Sequence, residues 1–251
     1  MVPSNGRESD PAISVVVPAR NEAGNIAPLV AEIAAALHGR AFEIVYVNDG
    51  SSDATERELR DLMRERPWLR QIRHQISCGQ SATVRTGVTM ARAPVVVTMD
   101  GDGQNDPAFI PALIAALDAG TPRVGLVAGQ RVGRKATGFK KLQSRIANSV
   151  RGAVLKDGTR DTGCGLKAFR RDLFLSLPYF DGLHRFLPAL VRREGFDIGY
   201  VDVVDRPRRH GASNYGFWDR LWIGILDLAG VWWLIRRKKR VPQFEEVTLA
   251  R

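Results

Sequence analysis

The stretch Ala93–Pro107, APVVVTMDGDGQNDP, restricts what this chain can become more than any other. Pro94 through Met99 show no polar alternation and are mostly small or β-branched. That is the pattern of a short strand covered on both faces, as in parallel sheets flanked by helices. The run ends abruptly in acid, with Asp100 and Asp102 one residue apart and Asp106 beyond a polar turn. Carboxylates delivered at the end of a buried strand stand where ligands bind in open α/β sheets. Gly101 and Gly103 let the turn bend so that both carboxylates swing toward one point, and Gln104 adds a neutral oxygen. Oxygen-only donors suit Mg2+ or Mn2+, which keep several waters and are completed by substrate phosphates. A solvated turn is the competing reading. It is preferred for Asp106, since Asp106-Pro107 reads as an N-cap followed by proline at the first helical position.

The pattern recurs upstream. Ile13–Pro18 (ISVVVP) is a second doubly buried run and leads into Ala19-Arg20-Asn21-Glu22. Glu43–Val47 (EIVYV) is a third and leads into Asn48-Asp49-Gly50-Ser51-Ser52-Asp53. Helical periodicity follows each turn, from about Asn25 to Leu37 and from Asp53 to about Arg66. A strand near Leu69–Arg73, a helix from Gly79 to Ala91, a helix over Pro107–Leu117 and a strand at Val124–Ala128 continue the alternation. Strand, polar turn and helix in repetition predict an α/β fold with a mostly parallel sheet. Asp53 reads as a helix N-cap, and Ser51 and Ser52 as turn formers. Asp49 leaves a buried strand with Gly50 behind it, as a group reaching a nucleotide would. Neither G-x-G-x-x-G after the first strand nor G-x-x-x-x-G-K-[ST] occurs, so phosphate would be held by metal and arginine rather than by a glycine cradle.

The formal charge of +10 calls for an anionic partner or surface, and its distribution narrows the choice. From Gln130 to Lys156 lie Arg131, Arg134, Lys135, Lys140, Lys141, Arg145, Arg151 and Lys156 without one acid. Such a run persists best opposite an anion, and with Phe139 its single aromatic residue it lacks the aromatic interleaving of a nucleic-acid surface. Asp161–Phe169 (DTGCGLKAF) reads as a glycine-bearing turn into a strand, followed by a helix near Gly182–Arg193 and a strand at Ile198–Val204. The Arg206–Tyr215 segment is a loop rich in Arg, His, Gly and Ser that could close over a diphosphate. His210 within it is given no role. Cys78 and Cys164 form no cluster, so neither a disulfide scaffold nor a zinc site is indicated, and a reducing cytosol is expected.

Phe217–Arg240 combines an apolar stretch, Leu221–Ile235, with Trp222, Trp232, Trp233 and the cations Arg236–Arg240. The stretch is short for a bilayer span and is interrupted by Asp227. It predicts a helix lying at the surface of an anionic membrane, against the alternative of a core or oligomer helix. The expected organisation is a tail over 1–11, a catalytic domain over 12–215, the surface helix over 216–240 and a tail over 241–251. Met1–Asp10 lacks the apolar centre of a signal peptide.

These segments resemble a known family. Val15–Glu22, Val47–Asp53 and Met99–Pro107 are similar to the three successive motifs of family 2 glycosyltransferases with the GT-A fold. Gly129-Gln130-Arg131, Asp161–Phe169 and Arg208-x-x-Gly211-x-Ser213-x-Tyr215 resemble the dolichyl- and undecaprenyl-phosphate sugar synthase branch. The resemblance implies that Pro18, Arg20, Glu22, Val47 and Asp49 contact the base and ribose of a nucleotide-diphosphate sugar, UDP- or GDP-linked, with Gly101 beside them. It implies that Asp100, Asp102 and Gln104 hold Mg2+ or Mn2+ on the diphosphate. Arg131 and Arg145 would grip a polyprenyl phosphate acceptor, and Arg208 and Ser213 would lie on a mobile loop over the donor. Arg20 stands where the family often has Tyr or Phe, Asn214 where it usually has Lys, and Gly101 and Gly103 replace the common Ala and Leu.

The implied reaction is an inverting, metal-dependent transfer at the cytoplasmic face of a membrane. An acceptor phosphate is already ionised, so the reaction needs positioning and charge stabilisation rather than a strong base. A transferase acting on a lipid or glycan hydroxyl is the rival, in which Asp161 would serve as base. Processive synthases are disfavoured because neither Arg-Trp nor Glu-Asp occurs in the chain. A nucleic-acid partner is not expected, and a homo-oligomer is compatible with the sequence.

Overall fold

The computed structural model describes residues 10–121, 123–132, 151–155, 158–159, 161–207 and 217–237, with the side chains of 217–223 excepted. Arg145, Arg208, His210, Ser213, Asn214 and Tyr215 lie outside these residues, as do most of the two expected tails, the side chain of Trp222 and the cations beyond Arg237.

The first half alternates as expected. β1 (Ile13–Ala19), α1 (Ile26–Ala36), β2 (Phe42–Asp49), α2 (Thr55–Met63), β3 (Leu69–His74), α3 (Gln80–Met90) and β4 (Val95–Thr98) follow one another in order. A 3-10 turn, Pro107–Phe109, leads into α4 (Ile110–Ala119), and β5 (Val124–Arg131) closes this half. Beyond it come β6 (Lys167–Arg170), α5 (Arg171–Ser176), α6 (Leu183–Arg193), β7 (Asp197–Val203) and α7 (Phe217–Arg236).

The strands form one sheet in the order β3-β2-β1-β4-β6-β5-β7. β1 pairs in parallel with both β2 and β4, and β2 with β3, while β6 runs antiparallel between β4 and β5. The apolar runs become its centre because both of their faces are covered. Val15, Val17, Ile44 and Tyr46 pack toward α1, α2 and α4, whereas Val16, Val45, Val47 and Val96 pack toward α3, α5 and α6. Each fully buried side chain of this size contributes about 1.5–3 kcal/mol over its exposed state. Gly87 sets the distance of α3 from the sheet, since a Cβ there would stand 2.3 Å from Val16 Cγ1.

Local signals hold in detail at the start of α4. Asp106 accepts from the Ala108 amide at 2.9 Å with Pro107 next to it, as its sequence predicted. α2 is shorter than its periodicity, ending at Met63, and Arg64, Glu65 and Arg66 then bond three residues back instead of four. At the sheet's other edge, Glu43 is buried and accepts from Ser14 Oγ, the Arg92 amide and Arg70 Nη1 at 2.6, 2.7 and 2.6 Å. Burial alone would raise this carboxyl, but the Ser14, Arg92 and Arg70 donors bring it below its ordinary value.

Candidate active site

The C-terminal ends of β1, β2 and β4 share one edge, and the loops leaving β1 and β2 are stitched together there. The Asn21 amide donates to Ser51 Oγ at 3.0 Å, and Asn21 Oδ1 accepts from the Ser52 amide at 2.9 Å. The amides of Glu22, Ala23 and Gly24 donate to Thr55 Oγ1, Asp53 Oδ2 and Glu58 at 2.9, 3.1 and 3.0 Å. Asp53 also accepts from the Thr55 amide at 3.0 Å, but the N-cap position of α2 is Ala54 and not Asp53 as expected; Ser51, Ser52 and Asp53 instead fix the neighbouring loop. Arg20 is exposed on this edge, and Glu22 is half-buried with Oε2 accepting from Asn25 Nδ2 at 2.8 Å. Val47, expected at the nucleotide, has its side chain wholly buried among the residues that face α3.

Asp49 lies at the same edge, but its oxygens are filled from within. They accept from the Cys78 amide and Ser77 Oγ at 2.8 Å, the Gly79 amide at 3.0 Å and His74 Nδ1 at 2.7 Å. Burial would raise this carboxyl, yet the Cys78 amide, His74, Ser77 and the Gly79 amide together lower it. The ligand atoms of Asp49, His74 and Cys78 lie within 4.8 Å of one another, a grouping that could take a cation. Here the imidazole is already spent, with Nδ1 on Asp49 and Nε2 on Thr86 Oγ1 at 2.9 Å.

Asp100 and Asp102 begin the turn after β4. Asp102 is buried and accepts from the Gln104 amide at 3.0 Å. The Asp100 amide donates to Asn105 Oδ1 at 3.1 Å, and Asp100 Oδ1 accepts from Gln80 Nε2 at 2.9 Å. Burial first, and then the neighbouring Asp102, push the Asp100 carboxyl up to about 6. Lys167 and Arg131 oppose the rise without cancelling it, and an oxygen-only donor set of this kind fits a divalent cation. Gly165 rests directly on the carboxylate, where a Cβ would stand 2.4 Å from Asp100 Oδ2. Thr98 Oγ1 holds that approach by donating to Gly165 O at 2.9 Å.

Arg131, at the end of β5, is committed to carboxylates. Its Nε and Nη2 donate to Asp161 at 2.5 and 2.8 Å, and Nη1 donates to Asp205 at 3.3 Å. Asp161 is therefore an ion-pair partner: burial would raise it, but Arg131 brings it well below its ordinary value. Asp205 also accepts from Asn105 Nδ2 at 3.4 Å. Next to it the Arg206 amide donates to Gln104 O at 2.8 Å, and its guanidinium reaches both Glu32 and Asp106 at 2.6 Å. The segment after β7 thus straps the Asp100–Asp106 turn to α1 and to Arg131.

A cavity of about 200 Å³ opens beside Asp100, walled by Pro18, Gln80, Met99, Gly165, Lys167 and His184 among others. Lys167 is buried, pairs in register with Thr98 and hydrogen bonds to Cys164 O. Burial lowers its pKa, partly offset by Cys164 and Asp100. His184 Nδ1 faces Ser81 Oγ at 2.7 Å, and burial with the Lys167 charge pushes the imidazole down to about 3. Gln80, Lys167, His184 and Asp205 carry no role in the sequence reading.

The sequence matches the glycosyl transferase family 2 model over residues 14–177. It is 36% identical to dodecaprenyl-phosphate galacturonate synthase of Rhizobium johnstonii, over 92% of this chain and 70% of that one. It is 31% identical to undecaprenyl-phosphate 4-deoxy-4-formamido-L-arabinose transferase of Edwardsiella ictaluri, over 81% of this chain and 63% of the relative. Glucosyl-3-phosphoglycerate synthase from Mycobacterium tuberculosis, solved with Mn2+, UDP and its product, superposes with a TM-score of 0.66 at 21% identity, covering 91% of this chain and 80% of that one. That likeness shows the GT-A fold expected from the motifs. The matched span runs from β1 through α5 and contains the Asp100–Asp102 turn, Arg131 and Asp161: the chain belongs to glycosyl transferase family 2.

Proposed function

We propose that this protein transfers a sugar from a UDP- or GDP-sugar to the phosphate of a polyprenyl phosphate, with Mg2+ or Mn2+ held by Asp100, Asp102 and Gln104. The observation that carries this reading is the locking of Asp161 on Arg131 at 2.5 and 2.8 Å. A hydroxyl acceptor would need a base, and this low-lying carboxylate, already paired, is a poor one. A phosphate acceptor needs none, because its oxygen is ionised before it attacks. A divalent ion on the paired acids would neutralise the leaving diphosphate. Arg20 and Glu22 flank the nucleotide, while Pro18 and Gly101 shape the floor between β1 and the β4 turn. Asp49 serves the nucleotide through the 74–79 loop that it holds. Arg131 meets the acceptor phosphate with the Nη1 whose bond to Asp205 is the longest it makes, and Arg145, Arg208 and Ser213 complete the acceptor and donor sides. The single displacement inverts the anomeric carbon.

Incubation with Mn2+, undecaprenyl phosphate and a panel of UDP- and GDP-sugars will yield a glycosyl phospholipid, seen by mass spectrometry and lost with EDTA. Asp102→Ala will reduce its formation by about 100- to 1000-fold, the scale of lost electrostatic stabilisation. Product formation indifferent to EDTA and to this substitution would refute the metal assignment.

We also infer that the enzyme works on the cytoplasmic face of a membrane, docked through α7. No helix among the described residues is long and apolar enough to cross a bilayer. Val231 is buried, and Leu228, Leu234 and Ile235 pack on the core that α6 shares. Ile225, Leu226, Trp232 and Trp233 form an outward stripe instead. Arg236 and Arg237 stack on the two tryptophans, with guanidinium carbons 4.2 and 5.9 Å from the ring centroids. Asp227, which interrupts the apolar sequence, turns inward to the start of α6, 3.8 Å from Arg185. An exposed apolar stripe with cations at one end suits an anionic lipid surface. Substituting both Trp232 and Trp233 with alanine will weaken binding to phosphatidylglycerol vesicles by about tenfold or more, the effect of about 1.4 kcal/mol, with helical circular dichroism unchanged. Undiminished vesicle binding would show that this face does not meet lipid.

A further inference from the structure

We infer that the cavity beside Asp100 receives the transferred sugar and is built for one that carries a carboxylate, a hexuronic acid; the inference rests on the nucleotide-sugar reading above. Size comes first. At about 200 Å³ the cavity falls below the pockets of about 300 Å³ and upward that take drug-sized ligands, so it suits a single sugar ring and not a nucleotide. Position agrees: Arg20, Glu22 and Asp49 on the nucleotide side are absent from its wall, and so is Arg131 on the acceptor side, whereas Asp100 is part of it.

The polar groups of the wall favour an anion. Lys167 is 4% exposed, and its hydrogen bond among the described residues is to one carbonyl, Cys164 O. An ammonium has three donors, and a buried one carries a desolvation cost of several kcal/mol, which the nearby Asp100 and Asp161 charges offset only in part. His184 adds a donor. Ser81 Oγ accepts from the Gly182 amide at 3.0 Å and stands 2.7 Å from His184 Nδ1; with the Ser81 proton donated to Nδ1, the neutral ring carries its own proton on Nε2. Arg185 lines the same cavity. The acid in the wall, Asp100, is taken up by Gln80 and by its assigned role as metal ligand. A neutral hexose would leave Lys167 only the Asp100 and Asp161 charges, which Gln80 and Arg131 already engage, whereas a sugar carboxylate would make a charge-assisted pair with it and accept from His184. Leu187, Val84 and Met99 supply the apolar wall on which a ring can lie.

The test compares UDP-glucuronate and UDP-galacturonate with UDP-glucose and UDP-galactose, in Mn2+, by titration calorimetry and by transfer to undecaprenyl phosphate. The wild-type protein will bind at least one uronate donor about tenfold or more tightly than its neutral counterpart, a difference of about 1.4 kcal/mol. In Lys167→Met, which keeps the length of the stem, that ratio will fall toward one. Equal affinity for both kinds of donor in the wild type overturns the inference without any variant, as does equal weakening of all donors by Lys167→Met. If the substitution instead raises the KM for undecaprenyl phosphate and leaves the donor ratio intact, the anion is the acceptor phosphate and the sugar assignment fails. Lys167-dependent preference for a uronate without any lipid product upholds the inference and refutes the polyprenyl phosphate reading.

Discussion

Gly165→Ala will lower turnover by about 100-fold or more, the scale of a misplaced electrostatic group, while shifting the melting temperature by only a few degrees. The added Cβ would lie 2.4 Å from Asp100 Oδ2, 2.5 Å from Cγ and 2.7 Å from Oδ1. No backbone atom opposes it within these distances, so the cheapest relief is rotation of the Asp100 carboxylate away from Gln80. Each kcal/mol of residual strain moves the melting temperature of a chain this long by about 2–4 °C. The fold therefore absorbs the methyl, but the pair of acids no longer converges. Turnover and Mn2+ affinity, measured together, check this. A variant with near wild-type turnover would mean that the Asp100 orientation is unimportant.

The second large effect is on stability. Asp49→Ala will destabilise the protein by about 3–5 kcal/mol, the usual cost of removing one partner from a buried charged network. Four donors converge on this carboxylate, and the amides of Cys78 and Gly79 would lose their acceptor. The loss also depends on pH with a definite sign. The folded carboxyl lies below its ordinary value of 3.8, so its contribution is present above that value and disappears as the pH falls through the folded pKa. Urea unfolding at pH 7 and at pH 3 will show the gap between wild type and Asp49→Asn narrowing in acid. A gap of the same size at both pH values would contradict the structural role of the charge.

The central strands were legible because burial on both faces leaves mostly apolar residues in β1, β2 and β4, and acids stand out at the ends of β2 and β4. The Asp106 cap was legible because its bonds close within two residues. Partners fixed only by tertiary contact were not. Asp49 shows itself in the sequence as an acid at a strand end, but its donors come from residues 25 to 30 positions later. Arg131 reads as a free cation, and it is Asp161 and Asp205, 30 and 74 residues away, that claim it. β6 is four residues long, KAFR, with a cation at each end, and neither periodicity nor propensity announces that its lysine is buried. Asp227 looked like a break in an apolar helix and proves to be directed at the neighbouring helix.

The antiparallel placement of β6 has a bearing on how the protein forms during its synthesis. β5 leaves the ribosome before β6, yet among the described residues its ladder to β1–β4 runs through β6, by way of Leu126↔Phe169 and Val96↔Phe169. Until β6 has emerged, the nascent chain holds the β3-β2-β1-β4 sheet and β5 as a strand without its partners, and Asp100 has neither Gly165 over it nor Lys167 near it. Non-local strand pairing of this kind is slow because the intervening chain must first be closed. The surroundings of Asp100 thus form only after β6 has joined the sheet, and a chain cut short before β6 would lack Gly165 and Lys167 at that edge.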